Sequence, residues 1–501
     1  MSAADQVVLA LDEGTTSARS IAFDRAGRTV AAAQREFAQR YPSPGDVRHD
    51  PEEISEAQLA TAREVIAAVG GAERVAAIGI TNQRETAVVW DRSTGRAAAD
   101  AIVWQSRVTE PFCAELRAAG HERLVKDRTG LPIDAYFSGP KIRQILQENP
   151  ALQARAEAGE LAAGTVESFL IARLTGGRVH VTDVSNASRT LLLDIRRGTW
   201  DDELVALMEV PRQLLPEVRS CAEVYGETDP SIFGRPIPIA AAAGDQQAAT
   251  FGQGCFEPGQ AKVTLGTGAF LLANTGSEAV ASSHGLLTTV AWQLGPGAPL
   301  IHAIEGAVFV TGAAVQWLRD GLRLFAESSG VEALARRVDD SGGVVVVPAF
   351  VGLGAPYWDP DARGAVLGIT RGTSAEHVAR ATLDAVAQQV QDVVESMDAD
   401  LGSPLSGLRV DGGGAGDLVC QLVADALDRN VERPVIRETT AFGAAALAGL
   451  AVGFWSEPAE IAAVRRVERR FDPAADPATR AEGRRRWLRA VERARGWAAP
   501  D

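Results

Sequence analysis

Short apolar runs broken by polar, glycine-containing turns recur along the chain, and each run predicts a buried strand. The first, Val7-Val-Leu-Ala-Leu11, breaks at Asp12-Glu13-Gly14 into three hydroxyl residues, Thr15, Thr16 and Ser17, and a second run, Ile21-Ala-Phe23, follows at once. Together they predict a β-hairpin with a Gly/Thr/Ser tip. Pro51 to Val69 has helical spacing, with proline suited to a first turn. Val75 to Ile80 predicts a strand ending in Thr81-Asn-Gln-Arg-Glu85, Ala101 to Trp104 another, and Ile133 to Lys141 a loop entering a helix. Arg235 to Ile239 leads through an alanine run to Gly244-Asp-Gln-Gln247 and a helical Ala248 to Phe251. Ala261 to Asn274 then repeats the opening order of strand, Gly/Thr tip and strand. Gly407 to Val410 precedes a third glycine-rich turn, Asp411 to Gly416, and a helix over Leu418 to Leu427. Arg465 to Trp497 is arginine-rich with helical spacing and reads as a solvated amphipathic helix.

Strands alternating with helices over short loops predict an α/β fold. The returning hairpin predicts two related halves, residues 1–253 and 254–501, joined at the Gly/Pro cluster of residues 250–258. A chain of 501 residues is too long for one core, which agrees with that division. Hydrophobic residues at 46% and charged residues at 23% place it among globular chains, and the net charge of −15 argues against nonspecific binding to nucleic acid or anionic membrane. Cys113, Cys221, Cys255 and Cys420 are too scattered for a zinc site or a disulfide framework. The apolar window Val344 to Val351 is cut by Pro348 and Gly352, so no spanning helix is expected. With an acidic N-terminus unlike a secretory signal, the expected location is cytoplasmic.

Hydroxyls beside bare backbone N–H groups suit phosphate. Polar residues ending a buried strand, as at Thr81 to Glu85, stand where α/β proteins place ligands, although a solvated turn has the same composition. Taken by itself, Asp245 reads as a helix N-cap. Neither G-x-x-x-x-G-K-[ST] nor G-x-G-x-x-G fits the glycine-rich turns. A nucleotide held between two hairpins, in a cleft whose closure excludes water, accommodates all three turns.

The motifs Ala10-Leu-Asp-Glu-Gly-Thr-Thr-Ser17, Gly79-Ile-Thr-Asn-Gln-Arg-Glu-Thr86, Tyr136-Phe-Ser-Gly139, Asn186-Ala-Ser-Arg-Thr190, Gly244-Asp-Gln-Gln247, Glu305-Gly-Ala-Val-Phe309, Gly352-Leu-Gly-Ala-Pro-Tyr-Trp-Asp359 and Arg409-Val-Asp-Gly-Gly413 occur in one order along the chain. In that order they resemble the FGGY carbohydrate kinase family, in particular its glycerol-phosphorylating members. The resemblance implies a two-domain actin-like ATPase fold with ribonuclease H-like repeats and an interdomain catalytic cleft. It implies transfer of the γ-phosphoryl group of ATP to glycerol, giving ADP and sn-glycerol 3-phosphate. Asp245 would be the general base. Arg84, Glu85, Tyr136, Asp245 and Gln246 would hold the glycerol hydroxyls, with Trp104 and Phe270 walling the carbon backbone. Thr15, Thr16, Ser17, Arg19 and Thr267 would meet the phosphates. Gly312, Gln316, Gly412, Gly413 and Asp417 would line the nucleoside. Asp12 and Asp245 would organise Mg²⁺ through water.

The sequence departs from the family pattern at Glu13, where glutamine is usual, and at Asp417, where asparagine is expected. Glu13 is expected to face outward, since a repelling charge beside phosphates would oppose binding. Ile232 stands where some bacterial relatives carry a histidine phosphorylated by a phosphocarrier protein, so that activation is not expected. Relatives form dimers and tetramers, which implies a homo-oligomer. A kinase for another polyol or a ketose, and a catalytically silent nucleotide-binding regulator, are the competing readings.

Overall fold

The computed structural model describes residues 6–499. Two mixed sheets dominate it. In the first, Val7–Glu13 pairs antiparallel with Ser17–Phe23, which pairs antiparallel with Thr29–Glu36. On its other side Val7–Glu13 runs parallel to Val75–Asn82, and that strand parallel to Pro238–Gly244, with Ala222–Glu227 antiparallel at the edge. The second sheet repeats the order. Ala261–Leu265 pairs antiparallel with Ala269–Gly276, which pairs antiparallel with Ile301–Val308, while Ala261–Leu265 runs parallel to Leu408–Asp411 and that strand parallel to Val431–Pro434. Five strands with the same neighbours and the same directions make each sheet one copy of a duplicated unit.

Val7–Glu13 is buried throughout because both faces of its sheet are covered. Val7, Leu9 and Leu11 pack with Ile54, Ala62 and Val65 of the helix Pro51–Ala68. Val8 and Ala10 pack on the opposite face with Phe442, Ala444 and Ala448. Those last residues belong to the helix Thr439–Ala451, which follows the second sheet's strand Val431–Pro434 yet lies on the first sheet. That helix is apolar all round because it is sandwiched between the sheet and the helix Asp245–Gly252. Absent side chains permit the approach: a Cβ on Gly443 would lie 1.8 Å from the Ala248 carbonyl oxygen, and one on Gly79 2.1 Å from that of Ala444.

Two elements differ from the sequence reading. Only Ala101–Ile102 forms a strand; Val103 and Trp104 leave it in a turn that carries the indole toward Thr15. The arginine-rich C-terminal stretch is not one helix. Val467–Phe471 pairs with Val431–Pro434 as an edge strand whose arginines suit an exposed edge. A helix then runs over Pro477–Ala494, N-capped by Asp476, and buries Trp487, Ala490, Val491 and Ala494. Among the described residues no helix is long and apolar enough to cross a membrane.

Candidate active site

Three parallel strands of the first sheet end side by side, with Glu13 and Gly244 both in register with Asn82. The loops that follow, Gly14 to Ser17, Gln83 to Glu85 and Asp245 to Gln247, therefore converge at the carboxyl edge of the sheet, where ligands of α/β proteins bind. At the hairpin tip the Gly14 N–H donates to the Ser17 carbonyl at 3.0 Å, and a Cβ at Gly14 would crowd that oxygen at 3.3 Å. The Trp104 indole N–H donates to Thr15 Oγ1 at 2.9 Å, which leaves the threonine hydroxyl hydrogen free to donate elsewhere. The Trp104 ring stands edge-on to Tyr136, with centroids 5.7 Å apart. Thr16 is exposed, and Ser17 Oγ accepts from Gln34 Nε2 at 2.9 Å.

Arg19 lies directly across the strand pair from Asp12 and binds its carboxylate at 2.9 Å, while its other terminal nitrogen reaches Glu438 of the second half at 2.7 Å. Its guanidinium thus neutralises Asp12 and bridges the halves instead of standing open at the hairpin tip. Burial raises the Asp12 pKa and Arg19 opposes that rise.

Glu13 corrects the outward expectation. Its side chain is fully buried, and Gln83 Nε2 donates to both carboxylate oxygens, at 3.1 and 3.3 Å, and to the Gly14 carbonyl at 3.1 Å. A strand covered on both faces offers its last residue no solvent side. Burial pushes the Glu13 carboxyl well above its ordinary range; the Gln83 bond opposes that, and Asp12 and Asp245 add to it.

Asp245 is the first residue of its helix, and Gly244 occupies the cap position. The carboxylate is therefore not spent on capping; it accepts from the Gln246 N–H at 2.7 Å and lies 3.3 Å from Arg84 Nε. The backbone beneath it is fixed by Ser185 Oγ, which accepts from the Gly244 N–H at 3.0 Å. Burial lifts the Asp245 pKa to about 6 against the pull of Arg84, with Glu85 adding to the rise. Near neutral pH the group is then ionised, yet a stronger base than an ordinary aspartate.

Arg84 is buried and binds Glu305 with both terminal nitrogens, one of them at 3.0 Å. It sits 6.0 Å from the centroid of the Phe270 ring. Glu85 accepts from Arg189 Nε at 2.8 Å, and Arg189 continues to Glu305 at 3.0 Å. Burial would raise the Glu305 pKa, but Arg189 and Arg84 outweigh it and hold the carboxylate down to about 2. Gln246 Oε1 accepts from Lys262 Nζ, which also donates to Thr264 Oγ1 at 2.9 Å. Tyr136 is fixed from below by Lys141, whose buried ammonium donates to the Tyr136 and Phe137 carbonyls.

On the second half, Thr267 stands exposed at the tip of the returning hairpin. Its carbonyl accepts from the N–H groups of Thr311 and Ala313, each at 3.0 Å, and the Gly312 N–H donates to Gly266 O at 3.0 Å. A Cβ on Gly312 would lie 2.4 Å from that Gly266 oxygen. Gly412, with φ of 90°, and Gly414 wrap the Leu265 carbonyl in the same manner, and Gly413 lies between them with open space where a Cβ would stand. Gln316 is exposed one turn into the helix Gly312–Asp320. Asp417 is taken up by Arg433, at 2.7 Å, and Arg469, so its carboxylate serves the sheet edge.

The sequence reading assigned no role to Gln83, Arg189, Lys262 or Glu305. Lys262 and Glu305 carried a usable signal: each is a charged residue inside a mostly apolar, buried strand, where an unpaired charge would be prohibitive.

The described residues contain no cluster of three or more acidic, histidine or cysteine side chains placed to hold a metal. Asp12 and Asp245, at the ends of the two strands that flank Val75–Asn82, instead suit an ion bound largely by waters and by a substrate's own phosphates.

Duplicated halves that each carry a hydroxyl-tipped hairpin, joined beside the Asp245 carboxylate through the Lys262–Gln246 and Glu305–Arg84 contacts, define a two-domain phosphotransferase. The chain belongs to the FGGY family of carbohydrate kinases: the family's N-terminal domain matches residues 7–252 and its C-terminal domain residues 261–452. Glycerol kinase 2 of Thermotoga maritima is 53% identical over 98% of this chain and 99% of its own, and the glycerol kinase of Symbiobacterium thermophilum is 55% identical over 98% and 99%. The crystal structure of Plasmodium falciparum glycerol kinase with ADP superposes with a TM-score of 0.92 at 34% identity, covering 98% of each chain. The fold is accordingly the two-domain α/β, actin-like ATPase type, and the chain is an ATP-dependent carbohydrate kinase.

Proposed function

We propose that this chain transfers the γ-phosphoryl group of ATP to a terminal hydroxyl of glycerol, yielding sn-glycerol 3-phosphate and ADP. The observation that carries the reading is the carboxylate of Asp245, lifted to about 6 and held 3.3 Å from Arg84 Nε beside Gln246. The full-length relatives named glycerol kinase support the choice of acceptor. Asp245 takes the proton of the attacking hydroxyl, while Arg84, Glu85, Gln246 and Tyr136 supply donors and acceptors for the remaining hydroxyls. A small triol offers little apolar surface, so such a set is what selects it. Phe270 and the Trp104–Tyr136 pair flank the carbon chain.

Thr15, Thr16, Ser17 and Thr267 receive the phosphates from two sides, and Gly312, Gln316, Gly412 and Gly413 border the nucleoside. Asp12 and Asp245 would hold Mg²⁺ through its waters, with Arg19 beside Asp12. When bound, the ion neutralises charge on the transferring phosphate. Lining up hydroxyl, phosphorus and leaving oxygen is the rest of the catalysis, because phosphoryl transfer depends mainly on positioning and electrostatic stabilisation.

A coupled ADP-release assay over glycerol, erythritol, xylitol and xylulose tests the proposal. Glycerol should have the highest kcat/KM. A higher value for xylulose or erythritol would transfer the reading to another kinase of the family, and no turnover with any acceptor would favour the silent regulator.

A further inference from the structure

Four side chains, Arg84, Glu305, Arg189 and Glu85, close a ring of charge at the junction of the halves. Glu305 binds Arg84 and Arg189, Arg189 binds Glu85 at 2.8 Å, and Glu85 lies 3.6 Å from Arg84 Nε. Each is 2% exposed or less. Two positive and two negative groups cancel, but burial of such a ring does not by itself stabilise a fold. Apolar side chains of similar volume commonly serve as well. Arg189 Nη1 is even left without a hydrogen-bond partner, a cost that stability alone would not retain. What the ring does supply is orientation: with both terminal nitrogens on Glu305, the Arg84 guanidinium is fixed with its Nε edge toward Asp245.

Glu305 comes from the other half of the molecule. It lies on Ile301–Val308, an inner strand of the second sheet, opposite Leu272, which is itself opposite Lys262 on the next strand. Residues directly opposite share a face, so Lys262 and Glu305 project from the same face in one row. Phe270, two residues from Leu272, projects from that face as well. This row meets the first half through Lys262 at Gln246 and through Glu305 at Arg84 and Arg189. The strand bearing Lys262 runs straight into the Gly266–Gly268 tip that carries Thr267.

We infer that Glu305 is a positioning residue for the polyol site. Reaching across from the nucleotide-binding half, it sets Arg84 and, through Arg189, Glu85, so that acceptor affinity and selectivity depend on how the two halves are seated. The inference rests on the proposed polyol kinase reading. Lys262 acts in parallel on Gln246.

The test compares Glu305→Gln with the wild type in the full-length protein, by steady-state kinetics and by the thermal shifts produced by glycerol and, separately, by MgADP. Glu305→Gln should raise KM for glycerol about tenfold or more and abolish most of the glycerol-induced shift, leaving the MgADP-induced shift and KM for ATP within about threefold. Selectivity for glycerol over erythritol should narrow as well, a change that loosened packing alone would not produce. Should Glu305→Gln fail to fold, Glu305→Asp keeps the charge and shortens its reach, and the same split is expected in milder form. An unchanged glycerol KM, or equal losses for glycerol and nucleotide, would overturn the inference. The wild-type panel separates the two claims: if another polyol proves the better acceptor, the reading of the substrate fails while the split is still measured with that polyol.

Discussion

At the scale of single residues the site turns on where carboxylates are put and what each faces. As the proposed base, Asp245 loses its proton-accepting oxygen on conversion to the amide, together with its charge toward Arg84. Asp245→Asn should therefore lower kcat by about 10²–10⁴-fold with an unchanged unfolding temperature, as measured by coupled assay and calorimetry. Retention of more than a tenth of the activity would remove Asp245 as the base. Glu13 faces Gln83 inside the sheet, so Glu13→Gln should leave the apparent affinity for MgATP within about twofold while stabilising the fold, because burying an amide costs less than burying a carboxyl. A folded-state pKa above the unfolded one makes a carboxyl's contribution worsen as pH rises. The gain in unfolding midpoint should thus be larger at pH 8 than at pH 5. A marked tightening of MgATP would instead place the Glu13 charge on the phosphates.

At the scale of elements, the first hairpin is held from outside by the turn that ends at Trp104. Trp104→Phe keeps an aromatic wall and removes the indole bond to Thr15 Oγ1. One such bond is worth about 0.5–1.5 kcal/mol, so KM for ATP should rise roughly two- to tenfold with a smaller change for glycerol. An effect on glycerol alone would return Trp104 to the role of a plain wall. Both hairpins, the parallel strands and their polar ends were legible in the sequence because each combines an apolar run with a glycine break at its end. The Ala101 to Trp104 strand was misjudged for the opposite reason: Trp104 is apolar in composition, yet its N–H serves a partner 89 positions away. The same distance hid the ring around Arg84, since Glu305 is 221 positions from the arginine it orients. Period and spacing report which face a residue takes, not what meets it there. The direction of Glu13 failed as an expectation because a charge argument was applied to a position that the coverage of the sheet decides.

At the scale of the whole molecule, the halves join through backbones in direct contact, and there is no room for a methyl group between them. Gly443→Ala would force the helices Thr439–Ala451 and Asp245–Gly252 apart, at a cost of about 1–3 kcal/mol or more. Activity should fall further than stability, because Asp245 begins the second of those helices; calorimetry and kcat on the same sample would show the disparity. Acid should also weaken the molecule. Burial lowers His49 and His180 to about 4, whereas unfolded histidine takes up its proton near 6.5. The stability they contribute is complete above about pH 6.5 and is lost as the pH falls toward 4. His49, whose shift comes from burial against a Thr15 backbone hydrogen bond with no charged neighbour among its causes, is the cleaner test: His49→Phe should flatten the unfolding midpoint across that interval. The helix Thr439–Ala451 also has a consequence for synthesis. The first sheet leaves the ribosome with one apolar face bare, and its cover is translated roughly 200 residues later, about 10–40 s at ordinary elongation rates. A nascent first half must therefore wait, exposed to chaperones or to aggregation. Residues 1–253 expressed alone should be insoluble, and co-expression of residues 254–501 should rescue them.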